Sequence, residues 1–229
     1  MTSEPVVTYA IGDVHGHVDK LRALIARCRQ HANGQLMRMV FVGDYVDRGP
    51  DSRSVIEQLI DLQRALPLYV VCLRGNHEAD MLACARGGDP SQWLSNGGLH
   101  TLASYGVGRA QDIPRAHLEW AASLPLSYDD ASRLFVHAGV NPNLPLAAQR
   151  EGDLLWIREP FLSHEGDYGR LIVHGHTPTW SRKPDYRRNR VNIDTAAGYG
   201  GPLTAAVFSH ASTPPIEFLT VPTTAMTGI

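Results

Sequence analysis

Hydrophobic and polar positions in the first third of the chain alternate between two periods. Residues 6–11 form a short β-rich apolar run, and residues 18–28 then place Leu21, Leu24, Ile25 and Cys28 at helical spacing. The same pair of signals repeats at 37–42, a strand, and 52–66, a helix with Val55, Ile56, Leu59 and Leu62 on one face. Residues 68–73 make a third apolar run, long enough for a buried strand and too short for a helix. This β-α-β-α-β order predicts a parallel sheet with right-handed crossovers. After Gly75 the pattern turns mainly helical, at 78–85, 99–105 and 114–123, the last with Pro114 at a first turn. From Ser127 onward short strands separated by turn residues are expected, at 133–136, 171–173, 190–193, 203–208 and 216–221. The fold class is therefore α/β, with a parallel βαβαβ first half and a mainly β C-terminal part.

No repeat or linker divides the 229 residues, so a single domain over 1–229 is the economical reading, with a loosely held tail after Pro222. A chain this long buries roughly 70% of its unfolded surface and needs no staple. The net charge of −2 argues against duplex nucleic acid or an anionic membrane face as partner. No apolar stretch is long enough to cross a bilayer, and Glu4 sits where a signal peptide would carry positive charge. Cys28, Cys72 and Cys84 form no C-x-x-C pair, which disfavours a disulfide framework or thiolate zinc site and points to the cytoplasm.

The chemistry gathers where the first three strands end. The clusters are Gly12-Asp13-Val14-His15-Gly16, Gly43-Asp44-Tyr45-Val46-Asp47-Arg48-Gly49 and Gly75-Asn76-His77-Glu78. Asp13 and Asp44 are 31 residues apart, Asp44 and Asn76 are 32. Since a βαβ unit takes roughly 30 residues, this spacing sets all three at one edge of neighbouring parallel strands. That carboxyl edge is where open α/β sheets bind ligands. Carboxylates, imidazoles and a carboxamide packed together call for a compensating cation, and the absence of thiolates suits Mn, Fe or Zn. His137 and the run His174-Gly175-His176 follow two later strands in the same manner. The remaining histidines read as ordinary turn or core residues.

These motifs resemble the phosphoprotein phosphatases, a family of binuclear metallophosphoesterases within the calcineurin-like superfamily. The runs G-D-V-H-G, G-D-Y-V-D-R-G and G-N-H-E match its signature blocks without a gap, H-A-G-V and H-G-H-T-P match later ones, and the similarity spans residues 11–177 and continues through 192–201. The compact bacterial and phage serine/threonine phosphatases, which carry a block like Leu154-Leu155-Trp156-Ile157-Arg158, are the most similar branch. The resemblance implies a central β-sandwich flanked by helices and two divalent metal ions, Mn²⁺ by ligand hardness, with Fe or Zn as alternatives. One metal would sit on Asp13, His15 and Asp44, the other on Asp44, Asn76, His137 and His176. His176 rather than His174 is implied because the family's ligand directly precedes the Thr position.

The mechanism the resemblance implies is attack on phosphorus by a metal-bridging hydroxide. Arg48, Arg158 and Asn76 would bind the phosphate, His77 would protonate the leaving group and Asp47 would orient His77. Phosphoserine and phosphothreonine in proteins or peptides are the expected substrates of a monomeric enzyme. The rival is a dinucleoside polyphosphate (diadenosine tetraphosphate) hydrolase, a subfamily that tends to lack an acid at the Asp47 position and to carry Asp at the Glu78 position. A third reading is a metal-binding regulatory module without turnover. The basic stretch Arg182, Lys183, Arg187, Arg188 and Arg190 is expected as a solvated loop.

Overall fold

The computed structural model describes residues 6–222, so the expected loose tail after Pro222 lies outside the described residues. The first half builds the predicted crossovers: β1 (Val7–Ile11), α1 (Val18–Ala32), β2 (Met37–Phe41), α2 (Ser52–Ala65) and β3 (Val70–Cys72). A helical stretch follows: α3 (Asn76–Ala85), the short α4 (Ser91–Trp93), a wide π-type turn over 94–98, α5 (Leu99–Tyr105) and α6 (Arg115–Ser123). The second half supplies β4 (Ser127–Asp129), β5 (Arg133–Val136), α7 (Glu151–Trp156), β6 (Leu171–His174), β7 (Asp185–Tyr186), β8 (Arg190–Asn192), β9 (Leu203–Ser209) and β10 (Glu217–Val221).

Two five-stranded sheets result, in the orders β10-β9-β1-β2-β3 and β4-β5-β6-β8-β7. Strands β1, β2 and β3 are parallel, from Val7 opposite Met37 to Ile11 opposite Phe41; β5, β6 and β8 are parallel in the second sheet. The remaining pairings are antiparallel.

Side chains alternate across each strand and so serve two cores at once. Ala10, Val40 and Val42 of the first sheet meet Phe135, Val173, Val191 and Ile193 of the second in the sandwich interior. Their neighbours Tyr9, Ile11, Met39 and Phe41 face the other way, against Leu21, Leu24, Leu59 and Leu62 of α1 and α2. On the far side, Leu134, Val136 and Ile172 pack on Leu154 and Phe161. Helices α3, α5 and α6 close a fourth cluster around Met81, Trp93, Leu102 and Tyr105, which Val46 joins to the loop after β2. All three cysteines are buried and free and pack as small hydrophobes. Among the described residues no helix is long and apolar enough to cross a membrane.

Several features depart from the sequence reading. Helices α4 and α7 lie outside the helical stretches expected, and Arg190, expected in a solvated loop, is buried on β8 and pairs with Asp185 at 3.0 Å. Strands β4 and β7 were not expected, because both are very short and lack an alternating apolar pattern. Asn76 and His77 belong to the first turn of α3, not to an extended strand end, since Glu78 Oε2 accepts the Gly75 N–H at 2.9 Å and closes the turn there.

Candidate active site

The carboxyl ends of the six parallel strands converge. Asp13 and His15 follow β1, Asp44 to Arg48 follow β2, and Asn76 and His77 follow β3; His137 follows β5, and His176 follows β6. Asp13, His15, Asp44, Asp47, Asn76, His77, His137 and His176 are all buried, whereas Arg48 is half-buried. Five of these residues (His15, Asp44, Asp47, Arg48 and His176) have left-handed backbone, with φ of 45°, 54°, 73°, 66° and 64°. Such conformations cluster where function dictates side-chain direction.

Two triads of ligand atoms share Asp44: His15 with His77, and His137 with His176. His137 Nδ1 donates to the Val42 carbonyl at 2.9 Å, so the neutral ring carries a lone pair on Nε2. That lone pair faces Asn76 Oδ1 at 2.8 Å and Asp44 Oδ1 at 3.4 Å, and His176 Nδ1 reaches the same Asn76 oxygen at 2.8 Å. His15 likewise gives Nδ1–H to Val46 O at 2.8 Å and turns Nε2 toward Asp44 Oδ2 at 3.5 Å. Acceptors held against acceptors in a buried cage are stable only around a cation, so nitrogen and oxygen donors of this kind fit divalent metal ions.

Electrostatics support the same fit. Burial, then the neighbouring His77, holds His15 well below the ordinary imidazole value. Burial also lowers His137 and takes His176 to about 3. Burial opposes ionisation of Asp44, but His137, His77, His15 and His176 together outweigh it and hold the carboxyl below the usual range.

Asp13 stands slightly apart from both triads. Its carboxylate accepts the His176 N–H at 3.1 and 3.3 Å, and a Cβ on Gly175 would collide with it, which explains the glycine between the two histidines. Burial, then Asp194 and Asp44, raises the Asp13 carboxyl well above its ordinary value. His174 is fully buried and packs beside Phe161, with ring centroids 4.9 Å apart.

A second arrangement lies beside the cage. His77 Nδ1 donates to Asp47 Oδ2 at 2.6 Å; Asp44 and Asp47 raise the His77 pKa although burial works against them. Asp47 does not cap α2: that place belongs to Asp51, whose side chain accepts from Ser54 N. Arg48 spans the centre. Its Nη1 donates to His15 Nε2 at 2.6 Å, and its Nη2 to His77 Nε2 at 2.8 Å and Asn96 Oδ1 at 3.1 Å. Arg158 is exposed on the rim; its charge reaches His176.

Several residues that position this site escaped the sequence reading. Trp93 Nε1 donates to Asp47 Oδ2 at 2.9 Å and Thr101 Oγ1 donates to Asp47 Oδ1 at 2.6 Å, so the helical insert clamps the carboxylate from behind. Asn96 comes within reach of Arg48 because the following residue is Gly97, at φ 116°, where any Cβ would strike Arg48. The Asn96-Gly97-Gly98 turn was the available signal. Asp194, just past β8, repeats the pattern of a carboxylate at a strand end, and burial, against the pull of the Ala196 N–H, pushes it up to about 7.

Glu78 serves as a brace. Its carboxylate accepts four buried N–H groups, from Asp44 (3.0 Å), Tyr45 (2.8 Å), Val46 (3.2 Å) and Gly75 (2.9 Å). Burial and the charge of Asp44 push it up to about 7. Glu78→Ala would orphan all four donors at about 1–3 kcal/mol each. A large drop in the urea midpoint, or failure to fold, is expected; an unchanged midpoint would show the loop is held by other means.

Comparison with known proteins agrees with this geometry. Residues 7–211 match the family model described as calcineurin-like phosphoesterase. The chain is 28% identical to the asymmetrical bis(5'-nucleosyl)-tetraphosphatase PrpE of Anoxybacillus flavithermus, over 93% of each chain. It is 30% identical to serine/threonine-protein phosphatase 1 of Salmonella typhimurium, over 86% of this chain and 90% of that one. Its fold is similar to that of a protein serine/threonine phosphatase from Saccharomyces cerevisiae, with a TM-score of 0.66 at 18% identity, covering 95% of this chain and 80% of the other. A phosphoesterase hydrolase with a metal-ligating centre shared between two sheets is what sequence, fold and site have in common: the chain belongs to the calcineurin-like phosphoesterase family.

Proposed function

We propose that this phosphoesterase removes phosphate from phosphoserine and phosphothreonine in proteins. The observation that carries the reading is the buried His77–Asp47 pair at 2.6 Å, clamped by Trp93 and Thr101. A serine or threonine alkoxide is strongly basic and must be protonated as it departs, which is the work of a positioned imidazole. A departing nucleotide phosphate needs no such acid.

The residues divide the work as follows. Asp13, His15 and Asp44 would hold one divalent cation, and Asp44, Asn76, His137 and His176 the other, with Mn²⁺ favoured by the donor set and Fe or Zn as alternatives. Such cations activate water and neutralise phosphate oxygens. Arg48 presents a planar guanidinium suited to two phosphate oxygens, and Arg158 adds charge at the rim. When phosphate draws Arg48 toward itself, His77 Nε2 loses its present donor and becomes free to carry a proton. Asp47 keeps that ring oriented and stabilises its charged form.

A second reading is hydrolysis of dinucleoside tetraphosphates by the same centre. It is favoured by the Anoxybacillus tetraphosphatase, which aligns over 93% of both chains.

The test is phosphate release from a panel of phosphoserine and phosphothreonine peptides, with diadenosine tetraphosphate run beside it. Wild-type enzyme that releases no phosphate from any peptide would end the first reading. In the same assay Arg48→Ala is expected to raise KM and weaken inhibition by inorganic phosphate at undiminished metal content, Arg158→Ala doing so more mildly. If Arg158→Ala matches the wild type in kcat and KM, Arg158 is a surface residue.

A further inference from the structure

Two large aromatic side chains stand open to solvent beside Arg48, and neither reading above employs them. Trp180 is 74% exposed and Tyr199 is 48% exposed. The Arg48 guanidinium lies over the Tyr199 ring, 4.6 Å from its centroid, and Trp180 continues the surface with its ring centroid 5.4 Å from that of Tyr199. The aromatic ledge thus starts at the phosphate-binding guanidinium and leads away from it.

Both halves of the ledge are pinned from beneath. The turn carrying Trp180 is tied down at Thr179, whose N–H and Oγ1 donate to the Asp194 carbonyl at 2.9 and 3.0 Å. The loop carrying Tyr199 is held by the buried Lys20, whose Nζ donates to Gly201 O at 2.8 Å and Ala197 O at 3.4 Å. Gly198 packs so closely on His15 that a Cβ there would collide with the ring and crowd Arg48. Arg182 lies close enough to Lys20 for its charge to be felt there, adding a cation beside the same loop. Exposed, fixed π-faces next to cations are the means by which proteins hold a base and its phosphates. Aliphatic residues flanking a phosphoserine would leave such faces uncovered.

We propose that Trp180 and Tyr199 form a subsite that stacks the nucleobase of a nucleoside polyphosphate, whose phosphate chain runs back along Arg48 to the metal-ligating cage. The inference rests on the second reading and adds a substrate class to the first. In the reaction one P–O–P bond breaks, water supplies the oxygen to one phosphorus, and the other phosphate leaves with the electron pair as an anion. No further reactant is required.

The test compares KM for diadenosine tetraphosphate with KM for p-nitrophenyl phosphate, in wild type, Trp180→Ala and Trp180→Phe. Loss of a stacked base is worth roughly tenfold to a hundredfold in affinity. The ratio of the two KM values is therefore expected to rise at least about tenfold in Trp180→Ala and to return toward wild type in Trp180→Phe. Adenosine 5'-monophosphate should quench tryptophan fluorescence in the wild type and do so far less in Trp180→Ala. Cleavage of diadenosine tetraphosphate with an unchanged ratio would remove the ledge and leave the second reading intact. Wild-type enzyme that neither cleaves the dinucleotide nor binds the mononucleotide would overturn both. A ratio that stays fixed while KM for phosphopeptides rises would assign the ledge to peptide binding and overturn the proposal.

Discussion

Asp44→Asn is expected to release bound metal and abolish turnover on every substrate, whatever the leaving group. Asp44 belongs to both ligand triads, and four imidazoles hold it ionised inside a buried cage. Asparagine keeps the shape and can retain the hydrogen bond in which Oδ1 accepts the His77 N–H at 3.1 Å, so the fold should survive. It carries no charge, however, and half of its ligating capacity becomes an N–H₂ group, which has no lone pair to offer a cation. The loss should exceed the roughly 10–100-fold seen when outer supporting groups are changed. Metal content per chain and p-nitrophenyl phosphate hydrolysis with added Mn²⁺ measure it. Wild-type enzyme should lose activity to a chelator and regain it with Mn²⁺; the variant should not regain it. Two tightly held metals and full activity in Asp44→Asn would remove the residue from the shared position.

His77→Asn is expected to keep its metals and lose roughly 10²–10⁴-fold in kcat on phosphoserine. The deficit should shrink on p-nitrophenyl phosphate, whose leaving group is a far weaker base. His77 has its Nδ1 committed to Asp47 at 2.6 Å, and its Nε2 is 3.8 Å from Asp44 Oδ2, which also places it within ligand distance of His15 and Asp44. The experiment therefore separates two roles. A metal ligand would lose metal and suffer equally on both leaving groups, whereas a proton donor discriminates between them. Asp47→Asn should show the same leaving-group dependence in milder form, since it acts through the imidazole.

Much of this site was legible because the features that reveal it are local. Asp13, Asp44 and Asn76 each end a strand-like run, and equal spacing of such ends along a βαβ chain implies one edge in space. His137 and His176 repeated the motif on the second sheet. Trp93 and Thr101, by contrast, are 46 and 54 residues from the Asp47 they clamp. Nothing local in the sequence marks them, and tertiary packing alone turns them onto a carboxylate. Asp194 was hidden because Ile193 precedes it, where Gly12, Gly43 and Gly75 precede Asp13, Asp44 and Asn76. Asn76 and His77 both sit on the first turn of α3, and their side chains reach different partners. Glu78, read as a mark of subfamily, proves to have a mechanical task as well.

The left-handed backbone at His15, Asp44, Asp47, Arg48 and His176 sets heat resistance against turnover. Each such residue costs about 1–2 kcal/mol that glycine would not incur. Glycine would relieve that cost yet erase the side chain, so the backbone strain at these five positions is tied to the groups that do the chemistry and cannot be engineered away without them.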